Sequence, residues 1–165
     1  MFGNRIAALL LAGSLAACTS ATTPYTSPLI AAEQARFRAL VEDQAQKLDV
    51  SMADSVGCVT DTLLVATTIE DEVERNVIRN LALVYRKRVE LLRAQGESLP
   101  TGAEVWWDGQ DVEASAAHAA ERLTNTDVEV IANNERDCRL KVVNQMTEEE
   151  ITSFALAAAL QSGAR

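Results

Sequence analysis

From residue 29 onward, apolar side chains recur at close to 3.6-residue spacing, which is the period of an amphipathic helix. The stretch 29–52 shows this best, because charged side chains separate its apolar ones, which are Ile30, Phe37, Leu40, Val41, Leu48 and Met52. Asp108-Gly109 would suit a hairpin turn, but the flanking segments are too short to form strands. The pattern predicts an all-α fold.

Helix breakers and capping residues divide this pattern into four or five helices. We predict helices over about 29–52, from an N-cap at Asp54 or Ser55 to about 95, and over about 110–124, 127–146 and 148–161. Gly57 either kinks the second helix or divides it. Thr126 with Glu129, and Thr147 with Glu150, fit the capping box that begins a helix. The short connections predict an antiparallel helical bundle, with the division between the third and fourth helices left open.

Residues 1–17 have the layout of a secretory signal peptide. Arg5 supplies a positive charge, Ile6 begins an unbroken apolar run to Ala12, and mostly small residues follow. This run is too short for a membrane span, which takes about 20 residues. We therefore expect the segment 1–17 to be removed during export.

The sequence Leu15-Ala16-Ala17-Cys18 resembles the lipobox of bacterial lipoproteins. In that family the cysteine takes a diacylglyceryl group, the preceding peptide bond is cut and the new N-terminus is acylated. The resemblance implies a lipid anchor on Cys18, and several acyl chains on one residue give stable anchoring. Thr19 stands where an aspartate would resemble an inner-membrane retention signal, so an outer-membrane anchor facing the periplasm is expected. The alternative is an ordinary signal peptide with a coincidental cysteine.

Residues 18–28 are predicted to tether this anchor to a single helical domain over 29–165. The tether reads TSATTPYTSP after the cysteine and has little to bury. Because Arg5 is the only charge in the segment 1–17, removing that segment changes the formal net charge from −9 to −10. Such an acidic domain is expected to repel nucleic acid and to accept a neutral or cationic partner.

Cys58 and Cys138 are the two cysteines that remain if Cys18 carries lipid. An even number of cysteines in an exported protein favours a disulfide. This disulfide would tie the second predicted helix to the fourth. The alternative is two separate buried thiols that act as small apolar side chains.

Trp106 and Trp107, the only tryptophans of the chain, fall in the predicted loop over 96–109. Neighbouring residues of an extended loop face opposite ways, so one indole is a candidate for partner contact, as Trp is frequent at binding hot spots. The alternative is that both indoles fill the end of the bundle.

The remaining polar candidates have ordinary structural interpretations. His118, the only histidine, is interpreted as a surface residue, because a general base or metal ligand would need partners. The glutamates at 148–150 suit a helix N-terminus, and the basic residues at 86–88 point in different directions on a helix. No catalytic, P-loop or dinucleotide motif is present, so we expect no enzymatic activity, cofactor or metal.

These features predict a lipid-anchored helical lipoprotein that serves as a structural or protein-interaction module of the cell envelope. Its partners would be the membrane, through Cys18, and an envelope protein. A first alternative is a bundle whose alanine-rich helices leave room for a small apolar ligand. A second alternative is an enzyme with an unrecognised site.

Overall fold

The computed structural model describes residues 27–108 and 112–163. Within these ranges the chain forms seven helices and no strand, which confirms the all-α prediction; they are α1 Pro28–Lys47, α2 Met52–Ala66, α3 Glu72–Ala94, α4 Glu104–Trp107, α5 Val112–Asn125, α6 Val128–Val143 and α7 Glu148–Gln161. Cys18, the predicted signal peptide and the tether up to residue 26 lie outside the described residues. None of the described helices has both the length and the apolarity that crossing a bilayer requires.

Helix α3 is the centre of the bundle, because it packs against α1, α2, α6 and α7. Its side chains Val84, Tyr85 and Val89 have no exposed surface. The Tyr85 hydroxyl donates a hydrogen bond to the backbone oxygen of Cys138 on α6 at 2.8 Å. Burial, and to a smaller extent the charge of Asp54, raise the pKa of Tyr85, so its phenol is neutral in the fold.

Neighbouring helices of the bundle mostly run in opposite directions. On α1 and α7, the rings of Phe37 and Phe154 meet edge to face with centroids 5.4 Å apart. About two turns later on α1, Gln44 Nε2 donates to Oε1 of Glu150, near the start of α7, at 3.2 Å. Helices α2 and α3 are joined by the short loop 67–71, which also makes an antiparallel pair.

The predicted second helix is two helices. Helix α2 ends at Ala66 and α3 begins at Glu72, after Asp71 has capped it by accepting a hydrogen bond from the backbone N–H of Glu74. The division therefore lies well beyond Gly57, which sits inside α2 without breaking it.

The cap of α2 also differs from the prediction. Ser51 caps this helix, in place of Asp54 or Ser55, and its side chain accepts a hydrogen bond from the Asp54 backbone N–H. Helix α1 ends at Lys47 and not at about residue 52, because residues 48–51 form the connection to α2.

Helices α5 and α6 are separate, which settles the division that the sequence left open. Asp127, and not Thr126, caps α6 by accepting from the backbone N–H of Glu129 at 2.8 Å. The capping box of Thr147 and Glu150 at the start of α7 is confirmed, with both of its hydrogen bonds present.

Candidate binding cleft

Cys58 and Cys138 form the predicted disulfide, with their Cα atoms 5.8 Å apart. Both residues are buried. The bond joins the first half of α2 to α6, so these two helices form a fixed frame on one side of α3.

A buried carboxylate attaches α5 to this frame. Asp61 on α2 is 2% exposed, and it accepts two hydrogen bonds from Arg122 on α5, from Nε to Oδ1 at 2.9 Å and from Nη2 to Oδ2 at 2.8 Å. Asn134 on α6 donates to Oδ2 at 3.1 Å. The hydrogen bond to Asp61 raises the pKa of Arg122. A bidentate pair of this kind fixes the relative position of the two side chains as well as pairing their charges. The charge of Arg122 is therefore paired within the protein.

An aromatic stack makes the second attachment of α5. The rings of Trp106 on α4 and His118 on α5 lie face to face, with centroids 3.9 Å apart and planes 9° apart. Nε2 of His118 is also 3.4 Å from the hydroxyl of Thr60 on α2. His118 is therefore half-buried between elements, and its interpretation as an ordinary surface residue was wrong.

The electrostatics of His118 follow from this position. Burial lowers its pKa, and the charge of Arg122 acts in the same direction, while Glu121 and Asp61 oppose the shift. Since desolvation is the largest of these effects, the imidazole is neutral at neutral pH.

An open cleft of about 670 Å³ lies beside these attachments, between α2 and α5. The backbone of α5 packs closely only against α4, so the short side chains that face each other across α2 and α5 leave a gap. These small residues are Ala53 and Gly57 on α2 and Ala114 and Ala117 on α5. A Cβ added to Gly57 would have no heavy atom within 4 Å.

The two tryptophans lie in the one-turn helix α4, where the sequence predicted a loop. Trp107 is 6% exposed and belongs to the core, and the guanidinium carbon of Arg86 lies 6.0 Å from its ring centroid. Trp106 is half-buried and lines the cleft. Trp107 thus fits the interpretation of an indole that fills the bundle end, and Trp106 keeps a surface for a partner.

A smaller groove of about 280 Å³ lies on the other side of the stack. Val59, Leu63 and Leu64 of α2 form much of its wall, with both tryptophans. The pair of Trp106 and His118 consequently stands between two depressions, of which the cleft is the larger.

Acidic side chains lie exposed at the rim of the cleft. Glu121 on α5 lines it directly. Glu104 on α4 accepts a hydrogen bond at 3.1 Å from the backbone N–H of Gly102, which is itself a lining residue. Arg122 also lines the cleft, but its charge is paired with Asp61. The rim is therefore attractive to positive charge.

The other polar groups singled out in the sequence form no further site in the described part of the chain. The glutamates at 148–150 begin α7, as a helix N-terminus favours. Arg86 lies by Trp107, and Lys87 pairs with Glu90 at 3.4 Å. Among the residues described, no group of three or more His, Cys, Asp or Glu side chains is placed to hold a metal ion.

The cleft was not predicted from the sequence. Gly57 inside a helix and Asp61 on the apolar side of α2 were the available signals, but neither identifies the helix across the gap. No protein-family model matches this chain, and neither does any curated protein or solved structure.

Proposed function

We propose that this protein is a lipid-anchored, non-enzymatic module of the cell envelope that docks a partner protein in the cleft between α2 and α5. The lipobox around Cys18 supports the anchor, and Thr19 supports an outer-membrane address facing the periplasm. The polar groups of the cleft serve the fold, since Arg122 pairs with Asp61 and His118 stacks on Trp106.

The position of the cleft relative to the tether carries this proposal. The tether joins the bundle at Pro28, and the 20 residues of α1 extend about 30 Å from that point. Helix α2 begins where α1 ends, and the cleft is lined by residues 53–60 of α2. The cleft therefore lies at the end of the bundle far from the tether. A tether of about 10 residues, which reaches at most ~35 Å, attaches at the opposite end of the bundle, so it leaves the cleft open to a partner in the periplasm.

The form of the open space favours docking over storage of a small ligand in the core. The cleft opens on the surface of the bundle, whereas the core is filled by buried side chains from α1, α2, α3, α6 and α7. A ligand enclosed among alanine-rich helices, the alternative raised by the sequence, would need the space to lie inside.

Site-specific photo-crosslinking in the native cells tests the proposal. The photoreactive residue replaces Val105, a cleft residue that is 64% exposed, and a matched probe replaces Leu140 on α6, which is 46% exposed. We expect the probe at 105 to capture one envelope protein, and this adduct to be lost with Gly57→Leu, which fills the cleft.

Two results would contradict the proposal. Equal adducts from both probe positions, or an adduct at 105 that persists with Gly57→Leu, would show that the cleft is not the docking site. If the Cys18→Ser form stays with the membrane fraction as the unaltered protein does, the proposed lipid anchor on Cys18 is contradicted.

A further inference from the structure

We infer that the partner inserts a short amphipathic helix with basic side chains beside its apolar face into the cleft between α2 and α5. This inference rests on the proposed function and specifies the chemistry of the segment that docks.

The walls of the cleft favour a helical segment over an extended one. Two walls are the helices α2 and α5, whose backbone groups are already hydrogen-bonded within each helix, and residues 100–106 close a third side. An extended peptide that binds by strand addition pairs its backbone with a strand edge, and the described residues contain no strand. A helix satisfies its own backbone and needs only side-chain contacts, so it suits these walls.

The dimensions of the cleft match about two turns of helix. The lining residues of α2 span 53–60 and those of α5 span 114–122, which correspond to about 10 and 12 Å along the helix axes. The two walls are held together near one end of the cleft, where Thr60 lies by His118 and Asp61 by Arg122. A third helix can lie in the groove between two such helices.

The floor of the cleft suits the apolar side of this helix. Ala53 and Gly57 lie one turn apart on α2, and Ala114 and Ala117 lie one turn apart on α5. Small side chains let another helix approach closely, and Trp106 at the end of the cleft offers a large apolar surface of the kind that dominates binding energies.

The charges at the rim determine which helix is preferred. Glu121 and Glu104 are exposed, whereas the charge of Arg122 is paired with Asp61. The chain as a whole carries a formal charge of −9. Lysine or arginine beside the apolar face of the partner helix would meet these carboxylates, and an acidic helix would be repelled.

Peptide titration of the mature chain carrying Cys18→Ser tests this inference. The probe is a synthetic peptide of about 14 residues, built of leucine and lysine at helical period, long enough for roughly four turns. Trp106 and Trp107 are the only tryptophans, and Trp106 lines the cleft, so the part of the intrinsic fluorescence that comes from Trp106 reports on the cleft. We expect a saturable change in emission with a Kd of about 1–100 μM, which weakens as salt is added.

Matched variants locate the bound peptide. Gly57→Leu is expected to weaken peptide binding at least about tenfold. If Gly57→Leu does not fold, Ala117→Leu fills the cleft from the opposite wall and is expected to weaken binding to the same extent. Ala32→Leu, at an exposed position of α1, is the size control. Glu121→Lys is expected to weaken binding about three- to tenfold, against no change for Glu42→Lys on α1.

Each remaining outcome overturns part of the inference. Equal binding of a scrambled peptide of the same composition would show that the cleft takes apolar cations without requiring a helix. Equal binding of a leucine–glutamate peptide would remove the charge preference. Capture by the probe at 105 in cells without any peptide binding in vitro would reject the basic helix and leave the proposed function standing.

Discussion

The guanidinium of Arg122 on α5 binds the buried carboxylate of Asp61 on α2 through two hydrogen bonds of 2.9 and 2.8 Å. Asn134 adds a third donor from α6, so this one carboxylate connects three helices. Because the backbone of α5 packs closely only against α4 among the described elements, this pair and the contact of His118 with Thr60 together set the distance between α5 and α2, and thereby the width of the cleft.

Arg122→Ala should destabilise the fold by about 3 kcal/mol, because it leaves the Asp61 charge buried without its cationic partner. Asp61→Ala should cost less, since the side chain of Arg122 is 30% exposed and its charge can be hydrated. Urea unfolding measures both values, with Arg136→Ala at an exposed position of α6 as the control. Equal costs for Arg122→Ala and Arg136→Ala would refute the role given to the pair.

Loss of the disulfide should cost about 4 kcal/mol in the chain-entropy model, because Cys58 and Cys138 are 80 residues apart in sequence. The measurement compares the free energy of unfolding of the unaltered protein with that of the double variant Cys58→Ala, Cys138→Ala. Peptide maps with and without reductant provide the check on the bond itself. Identical maps would mean that the two thiols are separate.

Gly57→Ala should stabilise the protein by about 1 kcal/mol. Gly57 lies in the interior of α2 with open space where the methyl group would stand, and alanine is the better helix former. Gly96→Ala is the matched control, because the φ of 93° at Gly96 strains any side chain, and it should destabilise by about 1 kcal/mol. Thermal or urea unfolding distinguishes them, and a destabilising Gly57→Ala would mean that α2 is distorted at this point.

His118 should titrate below its ordinary pKa of 6.5, because burial against Trp106 and Thr60 disfavours the imidazolium. Proton NMR measures this midpoint without ambiguity, since the chain has one histidine. Trp106→Ala, which exposes the ring, should move the midpoint back toward 6.5. A midpoint above 6.5 in the unaltered protein would contradict the buried stack.

The same shift makes the stability of the fold depend on pH. Between the folded pKa and 6.5 the unfolded chain binds more protons than the folded one. The contribution of His118 is therefore complete above pH 6.5 and is lost as the pH falls through the folded value. Comparison with His118→Gln isolates it, because Glu135, whose pKa burial raises, is present in both proteins and cancels. A stability difference that stays constant across this window would contradict the shift.

The helical fold could be predicted from the local hydrophobic pattern, and the disulfide from the number of cysteines. Helical period persists through the chain, so the all-α fold followed, and Cys58 and Cys138 were paired because they remained after Cys18 was assigned to lipid. The break before α3 was missed because Asp71 stands in an acidic run that also suits a helix surface. The prediction for His118 was wrong because its burial comes from Trp106 on α4, and the residues around His118 in the sequence do not indicate that contact.

The mass of the N-terminal peptide of the protein, purified from its native cells, tests the central claim most directly. A lipid-anchored module requires the mature chain to begin at Cys18, with the added mass of a diacylglyceryl group on the sulfur and an acyl chain on the amine. An unmodified Cys18, or a chain that begins at any other residue, would contradict the account of an anchored docking module.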